Sequence, residues 1–171
     1  MLSLPDSSPS TPGSSPASFT GSGGRRTRRW HQCLSVLKAP GEVNKFAARN
    51  GWKAHEAIQR DFPQAQAEKL YTFSDPSLPF DIGYHPDLYD AKRGVLYEIK
   101  PVKWFNDNQD YCKAQLAGYM HFTGAKGLFL LYETADRLLS YVGHPAVDMP
   151  AWEQLRDVAL KSDAMLLEQG K

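Results

Sequence analysis

The sequence predicts an α/β fold in which a central mixed β-sheet is flanked by helices. Segments with helical spacing of apolar residues alternate along the chain with segments rich in β-branched and aromatic residues. The run from Gly127 to Glu133 is almost entirely apolar, which is typical of a strand that is buried on both faces. The segment from Trp152 to Glu168 has the apolar stripe of an amphipathic helix that closes the domain.

The predicted core elements follow the order helix, three antiparallel strands, helix and strand. The region from Glu42 to Phe62 has apolar residues at helical spacing, but Gly51 interrupts it, so we expect two short helices or one kinked helix. Gly124 is expected to end the second long helix. The other predicted segments are a strand from Ala67 to Phe73, a loop from Asp75 to Pro79, a hairpin of Phe80 to Tyr89 with Val95 to Pro101, a helix from Asn106 to Thr123, and a strand from Leu138 to Val142.

The length of 171 residues suits one domain and a tail. Residues 1–30 are predicted to form a disordered tail, rich in Ser, Pro and Gly, that ends in a basic arm, and residues 31–171 to form the domain. The formal net charge is only +1, so nucleic-acid binding would need local positive charge. The arm could supply it through phosphate contacts, although a solvated linker end or a processing site is the alternative. Its basic residues are Arg25, Arg26, Arg28 and Arg29.

Several classes of function are disfavoured because their motifs are absent. No apolar run is long enough to span a membrane, and the N-terminus lacks the pattern of a secretory signal, so we expect a cytoplasmic protein. The chain has no glycine-rich phosphate loop and no serine nucleophile elbow. Its two cysteines, Cys33 and Cys112, and its five histidines show no zinc-ligand spacing.

Asp87, Glu98 and Lys100 are the candidate catalytic residues because of their places in the predicted hairpin. If the turn is centred on Lys92 and Arg93, the side chains of Asp87 and Glu98 lie directly across from each other. Side chains alternate between faces along a strand, so Lys100 shares the face of Glu98. A slip of one residue would move Asp87 to the other face, and Asp81 and Asp90 are therefore alternatives for the first carboxylate.

These residue types indicate metal-dependent hydrolysis of a phosphodiester. Two close carboxylates repel each other unless a cation lies between them. Hard oxygen ligands favour Mg²⁺ or Mn²⁺ over zinc. Such a metal can polarise the phosphate and lower the pKa of a bound water, while Lys100 holds that water or stabilises developing charge. Glycoside hydrolysis by the carboxylate pair is an alternative, but it leaves Lys100 without a role.

Pro86-Asp87 followed by Glu98-Ile99-Lys100 resembles the motif of the PD-(D/E)xK nuclease superfamily. The resemblance covers roughly residues 42–133 and implies a restriction-endonuclease-like core with the same order of elements. It implies that Asp87 and Glu98 bind the metal and that the Ile99 carbonyl is a further ligand. It also implies that Lys100 activates or positions water.

Gln115 and Tyr119 lie four residues apart, so a helix would place both on one face. This Q-x-x-x-Y pattern is similar to that of the RecB-like and Cas4-like branch of the superfamily, where it borders the active site. That branch also has a histidine on the first helix that can approach the metal, which implies this role for His55, with Glu56 as the alternative. Cas4-like proteins hold an iron–sulfur cluster with four cysteines, whereas this chain has two, so no cluster is implied.

The implied substrate is DNA, and the biological role has several alternatives. The stretches around Glu98 and Gln115 are similar to nuclease toxin domains of bacterial polymorphic toxins and secretion-system effectors. In that role the enzyme would act in the cytoplasm of a target cell, and an immunity protein would be its partner in the producing cell. A phage or bacterial recombination or repair exonuclease is one alternative. A catalytically silent nucleic-acid-binding or protein-interaction module is the other.

Overall fold

The computed structural model describes residues 17–18, 25–39 and 45–171. A 3-10 turn at Ser35–Leu37 follows the first helix. The strands are β1 (Ala17–Ser18), β2 (Arg26–Arg29), β3 (Gln66–Ala67), β4 (Tyr71–Phe73), β5 (Phe80–Tyr84), β6 (Leu88–Asp90), β7 (Val95–Pro101), β8 (Lys126–Ala135) and β9 (Leu138–Pro145). The helices are α1 (Trp30–Cys33), α2 (Lys45–Gln59), α3 (Val102–Asp107), α4 (Gln109–Thr123) and α5 (Trp152–Glu168).

The described strands form two mixed sheets flanked by helices, so the predicted α/β class is confirmed. The larger sheet has the order β3-β6-β7-β8-β9, with an antiparallel β6–β7 hairpin and a parallel β7–β8 pair. Helices α3 and α4 make the crossover between β7 and β8 that a parallel pair requires. The smaller sheet has the order β1-β4-β5-β2, in which β2 runs parallel to β5.

The larger sheet separates two apolar cores. On one face, Ile58 of α2 packs in a smaller core. On the other face, a larger core joins the sheet to α1, α4 and α5. Strand β8 contributes Phe129 and Leu131 to the larger core, and Leu130 and Tyr132 to the smaller one. The prediction that this strand is buried on both faces is therefore confirmed.

Two predicted strands are each divided in the structure. The strand expected from Phe80 to Tyr89 consists of β5 and β6, which belong to different sheets. Pro86 lies in the break, and because proline has no N–H, it cannot donate to a continuous ladder. The strand expected from Ala67 to Phe73 is divided into β3 and β4, since Glu68 has a φ of 52° that interrupts extended backbone.

The helices agree in kind with the sequence-based expectation, but some ends differ. Helix α2 is one helix that continues through Gly51, and the expected start at Glu42 lies outside the described residues. The next helical segment begins earlier than predicted and is divided into α3 and α4 at Asn108. Helix α5 has the predicted bounds, and Gly124 ends α4 with a φ of 74°. No helix in the described ranges has the length and apolar character that crossing a bilayer requires.

The basic arm is part of the folded domain rather than of a tail. Strand β2 pairs with β5, and its arginines contact carboxylates of the domain. Arg26 and Arg28 both contact Asp163 of α5, at 2.6 and 2.7 Å, and Arg25 Nε lies 2.8 Å from Asp81 Oδ1. The predicted boundary between tail and domain therefore lies too far along the chain. Phosphate binding by the arm stays a prediction, and it would compete with these ion pairs.

Most of the rest of the predicted tail lies outside the described residues. Its one described piece is β1, which pairs with β4.

Helix α4 and the N-terminal segment meet where Trp30 approaches Gly118. Trp30 is 1% exposed, and its indole Nε1 donates to the backbone oxygen of Gln115 at 3.2 Å. A Cβ atom on Gly118 would overlap the indole ring. The ring also packs against Phe122 and Trp152, so neighbouring side chains limit its movement.

We expect Gly118→Ala to destabilise the protein by about 1–3 kcal/mol, the range typical of atoms forced into a packed core. In an ordinary helix the same change is stabilising, because alanine is the better helix former. Urea denaturation followed by circular dichroism measures the difference. Gly51→Ala is the matched helical control, since its Cβ would meet only the end of the Tyr132 side chain, at 3.3 Å. A Gly118→Ala variant as stable as the wild type would contradict this account of the contact.

Candidate active site

Strand β7 carries the candidate residues on one of its two faces. Lys100 Nζ lies 5.8 Å from the centroid of the Tyr111 ring, which belongs to α4. Glu98, two residues earlier, shares this face. Tyr97 and Ile99 point the other way and pack with α2 in the smaller core. The alternation expected of a strand therefore puts the charged pair against α4.

The hairpin places Asp87 opposite Glu98. Leu88 pairs with Tyr97, and continuing this register by one residue brings Asp87 and Glu98 together. The backbone N–H of Asp87 donates to Glu98 Oε1 at 2.9 Å. The backbone N–H of Ile99 donates to Asp87 Oδ2 at 2.7 Å. Each carboxylate is thus held by the backbone of the opposite side of the hairpin.

These hydrogen bonds use one oxygen of each carboxylate, and the second oxygen faces other groups. Asp87 Oδ1 lies 3.6 Å from His55 Nδ1, and Glu98 Oε2 lies 3.5 Å from Lys100 Nζ. The C=O of a strand residue points to the same side as its N–H, so the Ile99 carbonyl is directed toward Asp87. The second carboxylate oxygens and this carbonyl form a set of oxygen donors at the start of β6.

The site has an excess of negative charge. Glu98 is 2% exposed, and its burial raises its pKa well above the usual range, with the charge of Asp87 raising it further. Burial alone would lower the pKa of Lys100, but Glu98 and then Asp87 outweigh it, so the pKa of Lys100 is raised. The ammonium group therefore stays charged. Glu98 needs a further positive charge beside Asp87, either a proton or a bound cation.

The structure brings Asp87, rather than the other aspartates considered, to this site. Asp81 is buried at the smaller sheet, where its Oδ1 accepts a hydrogen bond from Ser74 Oγ at 2.8 Å. Asp90 lies at the turn, where its Oδ1 accepts the backbone N–H of Arg93 at 3.0 Å. Both carboxylates therefore have structural partners elsewhere.

Helix α2 supplies two side chains that contact Asp87. His55, rather than the neighbouring Glu56, lies against its carboxylate. Gln59 Nε2 donates to the backbone oxygen of Asp87 at 3.1 Å, a contact that the sequence analysis missed. Gln59 follows His55 by four residues, and this shared helix face is the signal that could have identified it.

Gln115 and Tyr119 lie on one face of α4, where Gln115 Nε2 donates to the Tyr119 hydroxyl at 3.3 Å. Burial raises the pKa of Tyr119 well above its usual range, and Glu98 and Asp87 raise it further, so the hydroxyl stays protonated. Gln115 Oε1 is buried and has no hydrogen-bond partner among the described residues. A buried acceptor without a donor is destabilising, so it marks a place that suits a bound water or substrate group.

The donor set fits a hard divalent cation that keeps several waters. Two carboxylate oxygens and a carbonyl suit Mg²⁺ or Mn²⁺, because such ions are bound by few protein oxygens and complete their coordination with water or phosphate. Within the ranges that the structure describes, no group of three or more His, Cys, Asp or Glu side chains could hold a metal ion. The candidate ligands His55, Asp87 and Glu98 therefore do not form a three-residue metal site by themselves. A cation held by Asp87, Glu98 and the Ile99 carbonyl would need water or substrate to complete its coordination.

Comparison with known proteins supports the fold class. The crystal structure of SSO0001 is similar to this chain, with a TM-score of 0.57 and 13% sequence identity. The likeness covers 85% of this chain and 79% of SSO0001, and at this identity it shows the fold alone. No family model matches the sequence, and no curated protein matches it.

Loss of the Lys100 charge should destabilise the protein when divalent metal is absent. Lys100→Met leaves two adjacent carboxylates without their cation, and we expect a loss of about 3 kcal/mol, as for a broken buried ion pair. In a Glu98→Gln background the same change should have a smaller effect, because one of the carboxylate charges is already removed.

Urea denaturation in EDTA measures both losses. Lys103→Met is the matched control, since Lys103 is an exposed lysine that lies three residues further along the chain, in α3. Equal losses in the two backgrounds would show that Lys100 and Glu98 are not coupled.

Proposed function

We propose that this protein is a metal-dependent nuclease that hydrolyses phosphodiester bonds of DNA. The observation that carries the proposal is the pair of carboxylates Asp87 and Glu98, each held by the opposite side of the hairpin, with Lys100 beside them. Burying two carboxylates together opposes folding, so their presence side by side in the hairpin indicates a functional role. Their oxygens suit a hard divalent cation such as Mg²⁺ or Mn²⁺ better than zinc.

The proposal includes membership of the PD-(D/E)xK superfamily with a restriction-endonuclease-like core. The order of elements supports it: α2 precedes the β6–β7 hairpin that carries the motif, and α4 and the parallel strand β8 follow. The contact between Gln115 and Tyr119 on α4 supports the RecB-like branch.

Mg²⁺ or Mn²⁺ held by Asp87, Glu98 and the Ile99 carbonyl would polarise the scissile phosphate and lower the pKa of a bound water. Lys100, beside Glu98, would donate a hydrogen bond to the attacking water and stabilise negative charge that develops on the phosphate oxygens. The raised pKa of Lys100 keeps its ammonium group protonated, so the group would remain a hydrogen-bond donor during the reaction.

The surrounding helices position these groups. His55 and Gln59 contact the side chain and backbone of Asp87 from α2, which limits its movement when substrate binds. On the other side, the buried Gln115 Oε1, which has no partner among the described residues, can accept a hydrogen bond from a bound water. Tyr119 fixes the Gln115 amide through its own hydroxyl.

The purified protein should cut DNA in the presence of Mg²⁺ or Mn²⁺ and not in EDTA. Glu98→Ala and Lys100→Ala should each lower the rate by a factor of about 10² or more, because each removes electrostatic stabilisation of the transition state. Gel assays with supercoiled plasmid, linear DNA and RNA measure this and separate endonuclease from exonuclease action. Glu168→Ala and Lys92→Ala, both outside the site, are the charge-matched controls.

The nuclease proposal would be wrong if no substrate were cut and calorimetry detected no metal binding. Metal-independent binding of nucleic acid would then favour the catalytically silent module.

For the biological setting we propose the DNase toxin domain of an antibacterial effector, with an immunity protein as partner. Induced expression in a bacterial cytoplasm should stop growth and fragment the chromosome, whereas Glu98→Ala should be tolerated. Viable counts and DNA gels measure both effects. Equal growth with the wild type and Glu98→Ala, despite cutting in vitro, would instead favour the recombination or repair exonuclease.

A further inference from the structure

A second lysine, Lys38, lies beside the candidate site. It follows the 3-10 turn of residues 35–37, and its Nζ lies 4.8 Å from the centroid of the Tyr111 ring. Lys100 Nζ lies 5.8 Å from the same centroid and 5.3 Å from the centroid of the Trp104 ring. Two ammonium groups therefore contact one aromatic side chain, although they come from segments far apart in the chain.

The segment that carries Lys38 is fixed against the junction of α3 and α4. The backbone N–H of Ala39 donates to Asn108 Oδ1 at 2.8 Å, and Asn108 Nδ2 donates to the backbone oxygen of Trp104 at 3.1 Å. Leu34, at the other end of the segment, is fully buried in the larger core. The backbone at Lys38 is thus anchored on both sides, while the side chain itself is exposed.

The two lysines differ in how their charges are balanced. Lys100 has Glu98 Oε2 at 3.5 Å, whereas Lys38 makes no ion pair with any residue in the described ranges. Partial desolvation of the exposed Lys38 side chain lowers its pKa, and the charge of Lys100 lowers it further, as expected of two neighbouring cations. The charge of Lys38 is thus not balanced by a described carboxylate, and an exposed ammonium group in that state attracts an anion.

We propose that Lys38 binds a backbone phosphate of the nucleic-acid substrate, next to the phosphate that Lys100 serves. The inference rests on the proposed function and adds a substrate-binding residue from a separate part of the chain. An ammonium group donates hydrogen bonds and accepts none, so its complement is an anion such as phosphate. Trp104, which is partly exposed beside Lys100, offers an aromatic surface at the same place, as sites for single strands often do.

The test is the salt dependence of binding, because it counts phosphate contacts. Fluorescence anisotropy with a labelled oligonucleotide, single-stranded and duplex, is measured in a Glu98→Ala background that prevents cutting. Adding Lys38→Ala should weaken binding for every sequence and lower the slope of log K against log salt by about 0.9 for duplex or about 0.7 for a single strand. Lys38→Arg should retain the slope. Lys92→Ala, in the hairpin turn, is the charge-matched control and should change neither quantity.

Three outcomes separate this inference from the proposed function. Unchanged affinity and slope with Lys38→Ala, in a protein whose wild type cuts DNA, would overturn the inference and leave the nuclease. A slope that depends on Lys38, in a protein whose wild type never cuts, would support the phosphate contact and overturn the activity. If the wild type neither binds nor cuts nucleic acid, both proposals are wrong.

Discussion

Two hydrogen bonds that cross the β6–β7 hairpin hold the candidate site together. One joins the backbone N–H of Asp87 to Glu98, and the other joins the backbone N–H of Ile99 to Asp87. These carboxylates accept hydrogen bonds from backbone donors where regular pairing ends, and their second oxygens face the site. The same side chains therefore complete the hydrogen bonding of the hairpin and form the candidate site, so the site is as rigid as the hairpin itself.

Strand β7 is constrained on both faces and along both edges. It pairs with β6 and with β8, and it contributes Leu96 to the larger core and Ile99 to the smaller one. Glu98 therefore cannot move toward solvent without disturbing the sheet. The fold forces a carboxylate into a buried place where its charge is unfavourable, and sites of this kind often exchange stability for function.

Local pattern was enough to predict the parts of the site that depend on neighbours in the chain. Asp87 and Glu98 lie at equal distances from a short turn, and antiparallel pairing must bring such residues together. Gln115 and Tyr119 contact each other because residues four apart lie on the same face of a helix. Helix α5 was predicted with its observed bounds because its apolar stripe is regular.

The parts that were missed depend on contacts between distant segments. The arginines of β2 look like a solvated run in the sequence, but Arg28 contacts Asp163, which is 135 residues away. Lys38 likewise contacts the Tyr111 ring, which no local pattern links to it. The spacing from His55 indicates the helix face of Gln59, but its partner, the Asp87 backbone, lies 28 residues away in the chain. The division of β5 from β6 also depends on which sheet each strand joins, and Pro86 alone does not specify that.

The close approach of Trp30 to Gly118 constrains how this sequence can change over evolution. The two positions share one volume, so a larger residue at position 118 must be accompanied by a smaller one at position 30. A smaller residue at position 30 would lose the indole N–H that donates to the backbone of Gln115. Relatives of this chain should therefore vary at the two positions together. A pair of middle-sized residues would let α4 lie at a different distance from α1, the helix that carries Trp30.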